Sequence, residues 1–284
     1  MKRLGIVIVL LLFGVGAGAQ QYSREDSLRV EKLLHTLSAS EKPEVTMTKA
    51  AQLMIGTPYV ANLLGLGDEP EVLKTPVVKT DCILFVETML AVVRTVHSGG
   101  GFNAFTGFIL DSRYRDGKVS HFSDRVHYTT EWIRRLEAKG VLKDITMDLG
   151  GVVFDHPINY MSTHPAAYKM SQEDLQQIKA TEESLNKIPL CYIPKDKIDS
   201  VKDSIQSGDI VCFVTSTEGL DISHVDIAYK YKEYHGSVNS TPTEELGFIH
   251  ASSAAGKVII DPRTIAQYLS TRKTAPGIKV LRIQ

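Results

Sequence analysis

The sequence predicts an α+β fold, on three observations. Apolar residues recur at helical spacing through the first hundred positions. From residue 208 onward, short runs rich in β-branched and aromatic residues alternate with turn chemistry. The two patterns occur in that order with no internal repeat, as expected for helices packed on an antiparallel sheet.

Leu28, Leu33, Leu34 and Leu37 lie near helical spacing behind Ser23 and Asp26, either of which can cap, so a first helix is predicted over 23–39. A second is predicted from Glu44 to Met54, stopped by Gly56-Thr57-Pro58-Tyr59. Residues 66–80, with Gly and Pro, read as a loop. Asp81-Cys82 then opens the apolar segment Ile83 to Val96, whose length and lack of Gly or Pro predict a mostly buried helix with the cysteine in its first turn. Residues 98–127 read as irregular, followed by a helix from Tyr128 to Lys139. Short strands and loops are expected over 142–175, and a polar helix from Ser171 to Lys187. Strands are predicted at Gly208–Thr215, His224–Tyr231, Gly247–Ser252, Lys257–Ile260 and Gly277–Ile283. A polar loop of about 232–246 and a helix over Pro262–Thr271, begun by its proline, fall between them.

Met1-Lys2-Arg3, the apolar run Leu4 to Val15 and Ala17-Gly18-Ala19 make the pattern of an export leader cut after Ala19. The run is short for a bilayer span, though an uncleaved anchor is the alternative. Removing 19 of 284 residues leaves 265, enough for one large domain over 20–284 that carries an insertion at about 98–205. Hydrophobic residues at 43% and charged residues at 23% exclude long disorder. A net charge of -1 gives no field that would draw the chain to nucleic acid or an anionic membrane. A monomer without stable membrane insertion after leader cleavage is expected.

Three cysteines leave at least one thiol without a disulfide partner in an exported chain. Cys191 and Cys212 could pair, or Cys212 could be a small core residue of its strand. Cys82 at a helix start is the candidate nucleophile, because the partial positive charge there favours thiolate, and its pKa is expected to fall. A thiol nucleophile needs a histidine. Strand alternation puts His224, Asp226 and Ala228 on one face, opposite Val225, Ile227 and Tyr229. It likewise puts Phe248, His250 and Ser252 on one face of the next strand. Pairing of these strands would bring His224, as base, within hydrogen-bond reach of His250, as its orienting group. His156 and His164 flank Asp155, but no spacing typical of a metal site occurs.

Asp81-Cys82-x-x-Phe85-Val86, His224-Val225-x-Ile227-x-Tyr229 and Ile249-His250-Ala251-Ser252 together resemble the Cys, His, His signature of the NlpC-type cell-wall hydrolases, a papain-like superfamily. Gly56-Thr57-Pro58-Tyr59 is similar to that superfamily's motif whose tyrosine borders the cleft. With Thr80-Asp81-Cys82, Arg125-x-His127-Tyr128 and Ser223-His224-Val225, the chain resembles the exported branch that is N-acetylmuramoyl-L-alanine amidase-like. The resemblance implies a papain-like core and a peptidoglycan or muropeptide substrate. It implies no metal or organic cofactor, and Cys82, His224 and His250 as the catalytic set. Tyr59, Asp81, Arg113, Arg125, His127, Tyr128, Ser223 and Ser252 are the substrate-binding candidates, the guanidinium groups as takers of a carboxylate. An endopeptidase cutting the stem peptide after γ-D-glutamate, or a non-catalytic wall-binding protein, would fit the same pattern. A periplasmic location follows from the leader.

Overall fold

The computed structural model describes residues 20–233 and 242–284. The expected leader and the tip of the 232–246 loop lie outside the described residues. A short strand β1 (Gln20–Gln21) precedes helices α1 (Arg24–Thr36) and α2 (Pro43–Leu53), and β1 pairs in parallel with β2 (Leu73–Lys74). Then follow α3 (Cys82–Ser98), α4 (Phe102–Arg113) and α5 (Thr129–Ala138). Strands β3 (Leu142–Asp144) and β4 (Val152–Phe154) lead to the one-turn helices α6 (Tyr160–Thr163) and α7 (Pro165–Tyr168) and to the longer α8 (Gln172–Leu185). Strand β5 (Leu190–Pro194) and the single turn α9 (Ile198–Val201) precede the main strands β6 (Ile210–Val214), β7 (Ile222–Glu233), β8 (Thr243–Ser252) and β9 (Lys257–Ile260). The chain closes with α10 (Ile265–Ser270) and β10 (Gly277–Ile283).

The sheet runs β4-β5-β10-β6-β7-β8-β9, with β3 also pairing β10. All these pairings are antiparallel, and the fold is α+β. Alternation along the strands separates two cores. Cys212, Val214, Val225, Ile227, Ile249 and Ala251 join the core under α3. Val211, Phe213, Ala228 and Phe248 join the other, closed by Ile265, Tyr268 and Leu269 of α10. Helix α3 is buried almost all round from Leu84 to Val93, as a helix apolar on every side must be. Asp81 caps its start, Oδ1 accepting from the Leu84 amide at 2.9 Å, and Gly99 ends it in the left-handed conformation at φ 66°.

Helix α1 begins with a capping box, as its sequence indicates: Ser23 Oγ accepts from Asp26 N, and Asp26 Oδ2 from Ser23 N. Asp26 Oδ1 also accepts from Val77 and Val78, at 2.7 and 3.0 Å, which ties α1 to the segment ahead of Cys82. Three expectations need correction, and one strand, β5, carries no expectation from the sequence. The segment 98–127 contains α4, whose apolar Phe102, Phe105 and Ile109 pattern is obscured by Gly107 and the preceding glycines; burial of Phe105 and Ile109 offsets the weak propensity. Strand β5 ends on Pro194, an arrangement a local reading demotes, yet it is completed by β4 and the start of β10. The β7–β8 hairpin reaches Glu233 and starts again at Thr243, longer than its polar sequence indicates. Helix α10 is started by a Thr264–Gln267 capping box rather than by Pro262.

Two buried charges anchor predictions about stability. On α3, Glu87 is 4% exposed and meets Arg113 Nε at 2.9 Å, Arg113 Nη2 at 2.5 Å and Ser112 Oγ at 3.0 Å. Replacing Glu87 with Ala would leave a buried guanidinium uncompensated. The expected loss is about 3–5 kcal/mol in denaturant unfolding, larger than that of the double replacement of Glu87 and Arg113 by Met. On β7, Asp226 is fully buried, and neither carboxylate oxygen has a hydrogen-bond partner among the described residues. Burial, with the charge of Asp261, raises its pKa well above the carboxylate range. A group whose folded pKa is raised loses stability as pH climbs above its unfolded value. Asp226→Asn should therefore stabilise increasingly above about pH 4, by up to ~1.4 kcal/mol per pH unit until the native carboxyl ionises. A melting-temperature difference that stays flat from pH 4 to pH 8 would contradict this.

Candidate active site

Cys82 is the first residue of α3, so the amides of its first turn have no partner within the helix. The thiol is partly exposed, packed at the rim of the main core. Its ionisation reverses the expectation from sequence: burial, then the neighbouring Asp81 carboxylate, pushes the thiol up to about 11. The amides of Val225, Ile83 and Cys82 itself favour thiolate but are outweighed. The helix start is there; desolvation is the larger effect.

The amide of Val225 places the sulfur against β7, one residue along from His224. His224 Nε2 lies 2.7 Å from His250 Nδ1, with the rings nearly perpendicular at 84°. His250 Nε2 lies 3.4 Å from Asp261 Oδ2, and Asp261 is gripped by Arg263 through Nε and Nη2, each at 2.8 Å. Burial, followed by the charges of His250 and Arg272, holds His224 down to about 3, and burial holds His250 to about 4. Both rings are therefore neutral near pH 7. His250 Nε2 makes no hydrogen bond among the described residues and faces the Asp261 carboxylate across 3.4 Å. A proton on that nitrogen makes Nδ1 of His250 the acceptor, His224 Nε2–H the donor and Nδ1 of His224 the basic nitrogen.

Two cavities border these elements. One, of about 240 Å³, lies against His224, His250, Phe213, Ser223, Ser252 and Tyr268. The other, of about 160 Å³, is lined by Leu64, Ile83, Leu84, His127, Tyr128 and Trp132, with Arg113 and Arg125. Cys82 is linked to each through a neighbour: Ile83 lines the second, and Val225, whose amide faces the sulfur, follows His224 of the first.

The expected residues divide accordingly. His224, His250, Ser223 and Ser252 line one cavity, and Cys82 meets the same strand β7 through the Val225 amide. Tyr59 joins them, its hydroxyl pKa raised by burial and by the charges of Cys82 and Asp81. The Tyr59 strap is stitched to the β8–β9 turn by Tyr59 N to Gly256 O at 2.8 Å and Val258 N to Thr57 O at 2.8 Å. Asp81 acts as the helix cap. The expectation that Arg113 and Arg125 offer free guanidinium groups does not hold: Arg113 is paired with Glu87, and Arg125 with buried Glu71 at 3.0 Å. His127 Nε2 meets Phe122 O at 2.8 Å, and Tyr128 Oη bonds Glu182 at 2.7 Å and the Met161 amide at 2.8 Å. These four shape a wall. His156 faces the carbonyls of Thr217 and Leu220, His164 that of Tyr160, and no cluster of three metal-ligating side chains occurs among the described residues. Cys191 and Cys212 are free thiols.

Sequence reading missed Asp261, Arg263, Tyr268 and Arg272. Asp261 had a usable signal: the tight turn from Ser252 to Lys257 fixes the β8–β9 register, with His250 opposite Ile259, and alternation then puts residue 261 on the histidine face.

The chain is similar to known proteins in sequence and fold. Two crystal structures of an N-acetylmuramoyl-L-alanine amidase from Bacteroides uniformis ATCC 8492 are 32% and 31% identical, with TM-scores of 0.76 and 0.75. Each alignment covers 86% of this chain and 100% of theirs. A Legionella pneumophila protein, 21% identical over 91% of this chain and 94% of its own, shares the fold at a TM-score of 0.66. No curated protein matches the chain. The family described as N-acetylmuramoyl-L-alanine amidase-like matches residues 49–278, and the chain belongs to that AmiA-like family.

Proposed function

We propose that this chain is a cysteine amidase that hydrolyses the bond between the muramyl lactyl group and L-alanine in peptidoglycan or its fragments. The observation that carries the reading is the Asp261–His250–His224 chain, which leaves one basic nitrogen on the residue next to the amide that faces Cys82 Sγ. A helix-start cysteine packed on an antiparallel sheet supports a papain-like, NlpC-type core. Family membership supports the substrate class. Export to the periplasm and a monomeric state belong to the same proposal; among the described residues no helix is long and apolar enough to cross a membrane.

In this mechanism the resting pair is neutral, thiol and imidazole. His224 Nδ1 takes the thiol proton as sulfur attacks the carbonyl, and the oxyanion is met by the amides of the first turn of α3. The imidazolium, steadied by His250 and Asp261, returns that proton to the leaving amine. Water, deprotonated by the same nitrogen, then opens the thioester and frees the acid and the thiol.

Muropeptide digestion read by mass spectrometry tests the bond: release of the whole stem peptide is expected, and a cut within the stem would assign an endopeptidase instead. Cys82→Ala should lower turnover by more than ~10⁴-fold while leaving the melting temperature nearly unchanged. A variant that still turns over would remove the thiol from the chemistry. His250→Ala, which removes only the orienting ring, should cost less, roughly 10²-fold. Undiminished activity there would leave it a purely structural role. Because both imidazoles are held low, kcat/KM should persist through pH 5 and fall only as pH drops toward 4 and below, where protonation removes the base. An acid limb near pH 6.5, the ordinary histidine value, would contradict the buried neutral pair.

A further inference from the structure

The two cavities, one at the histidines and one against Ile83 next to Cys82 in the chain, differ in charge. In the cavity against Ile83 and Trp132 both arginines are neutralised, Arg113 by Glu87 and Arg125 by Glu71. In the cavity against the histidines, Arg263 is committed to Asp261, but Arg272 has no carboxylate partner among the described residues. Arg272 is nonetheless held in place. Its guanidinium lies over the Tyr268 ring at 4.5 Å, and Nη2 donates to Tyr268 Oη at 2.8 Å. A stacked, hydrogen-bonded guanidinium with an exposed face is preorganised for a carboxylate.

The chemistry of the site fixes which half of the substrate meets it. The carbonyl being attacked must lie over the amides at the start of α3, and the group that protonates the leaving nitrogen is His224. The leaving half therefore lies on the histidine side and the acyl half on the Ile83 side. In the lactyl–alanine amide the acyl half is an uncharged sugar with its lactyl arm, whereas the leaving half is a peptide bearing carboxylates. The first of these, on the D-glutamyl residue after alanine, lies within ~7 Å of the scissile nitrogen, two residues' reach.

We propose that Arg272, held on Tyr268, binds the α-carboxylate of the D-glutamyl residue of the stem peptide, with the sugar and lactyl arm on the Leu64–Trp132 side. The assignment rests on the amidase reading above and adds the specificity determinant: the site selects stems whose second residue carries a free acid over those in which it is amidated.

The test compares two synthetic muramyl tripeptides that differ only in that group, D-glutamate or D-isoglutamine, with the wild-type protein, Arg272→Gln and Arg272→Lys. The wild type should prefer the free acid by about 10–100-fold in kcat/KM, expressed mainly in KM. Arg272→Gln should lose a similar factor on the free acid, and that loss should shrink to within about twofold on the amidated substrate. Arg272→Lys, which keeps the charge without the fork, should recover part of it. Arg272 is exposed, so unchanged melting temperatures are expected and serve as the folding control. Equal losses on both substrates, or none on either, would overturn the assignment while leaving the amidase reading intact. Cleavage of either substrate within the stem by the wild type would overturn the amidase reading, and this assignment with it.

Discussion

The ionisation of the site depends on desolvation where the first turn of α3 meets β7. An ion in such a place gives up hydration that the surroundings must replace, so each titratable group drifts toward its neutral form. The Cys82 thiol is driven up to about 11, and the rings of His224 and His250 down to about 3 and 4. The amides of Ile83, Cys82 and Val225 work against that drift at the thiol and do not overcome it. In the proposed mechanism a neutral resting pair, with amides already aimed at the sulfur, develops charge only as the reaction proceeds. At that point preorganised dipoles have their largest effect, since they need not reorient.

The same constraint explains the paired arginines. Arg113 and Arg125 are nearly buried, and a guanidinium in that setting is tolerable only with a carboxylate at hand, which Glu87 and Glu71 provide. These pairs join α3 to α4 and the residue-71 segment to residue 125, so they hold the wall of one cavity rather than offering charge to a ligand. Arg263 plays the corresponding part for Asp261 at the end of the proton chain. Arg272 at the rim has no carboxylate partner among the described residues, and water there makes an uncompensated charge tolerable. The two cavities thereby acquire different polarity, the property on which the proposed substrate orientation rests.

Much of this was legible in the chain. Ser23 and Asp81 announced helix starts, Lys257–Ile260 and Gly277–Ile283 read as strands with the bounds they have, and alternation put His224 and His250 on faces that coincide once β7 and β8 pair. Other features were not. Helix α4 hides behind glycines because its stability comes from the face it lays on α3. Strand β5 ends on proline, and only its neighbours β4 and β10 make it a strand. Asp261 needed a register, and the orphaned carboxyl of Asp226 needed a second core to bury it.

Local chemistry in the chain settles the order of elements, the place of Cys82 at a helix start and the alternation that gives His224 and His250 matching faces of their strands. These follow from the 3.6-residue and two-residue periods and from capping chemistry, which act over a few neighbouring positions. Only the tertiary structure decided which side chains are charged, which arginines are already paired and where Asp261 stands. Those properties are sums over groups brought together from distant parts of the chain, with desolvation outweighing the local helix field at Cys82.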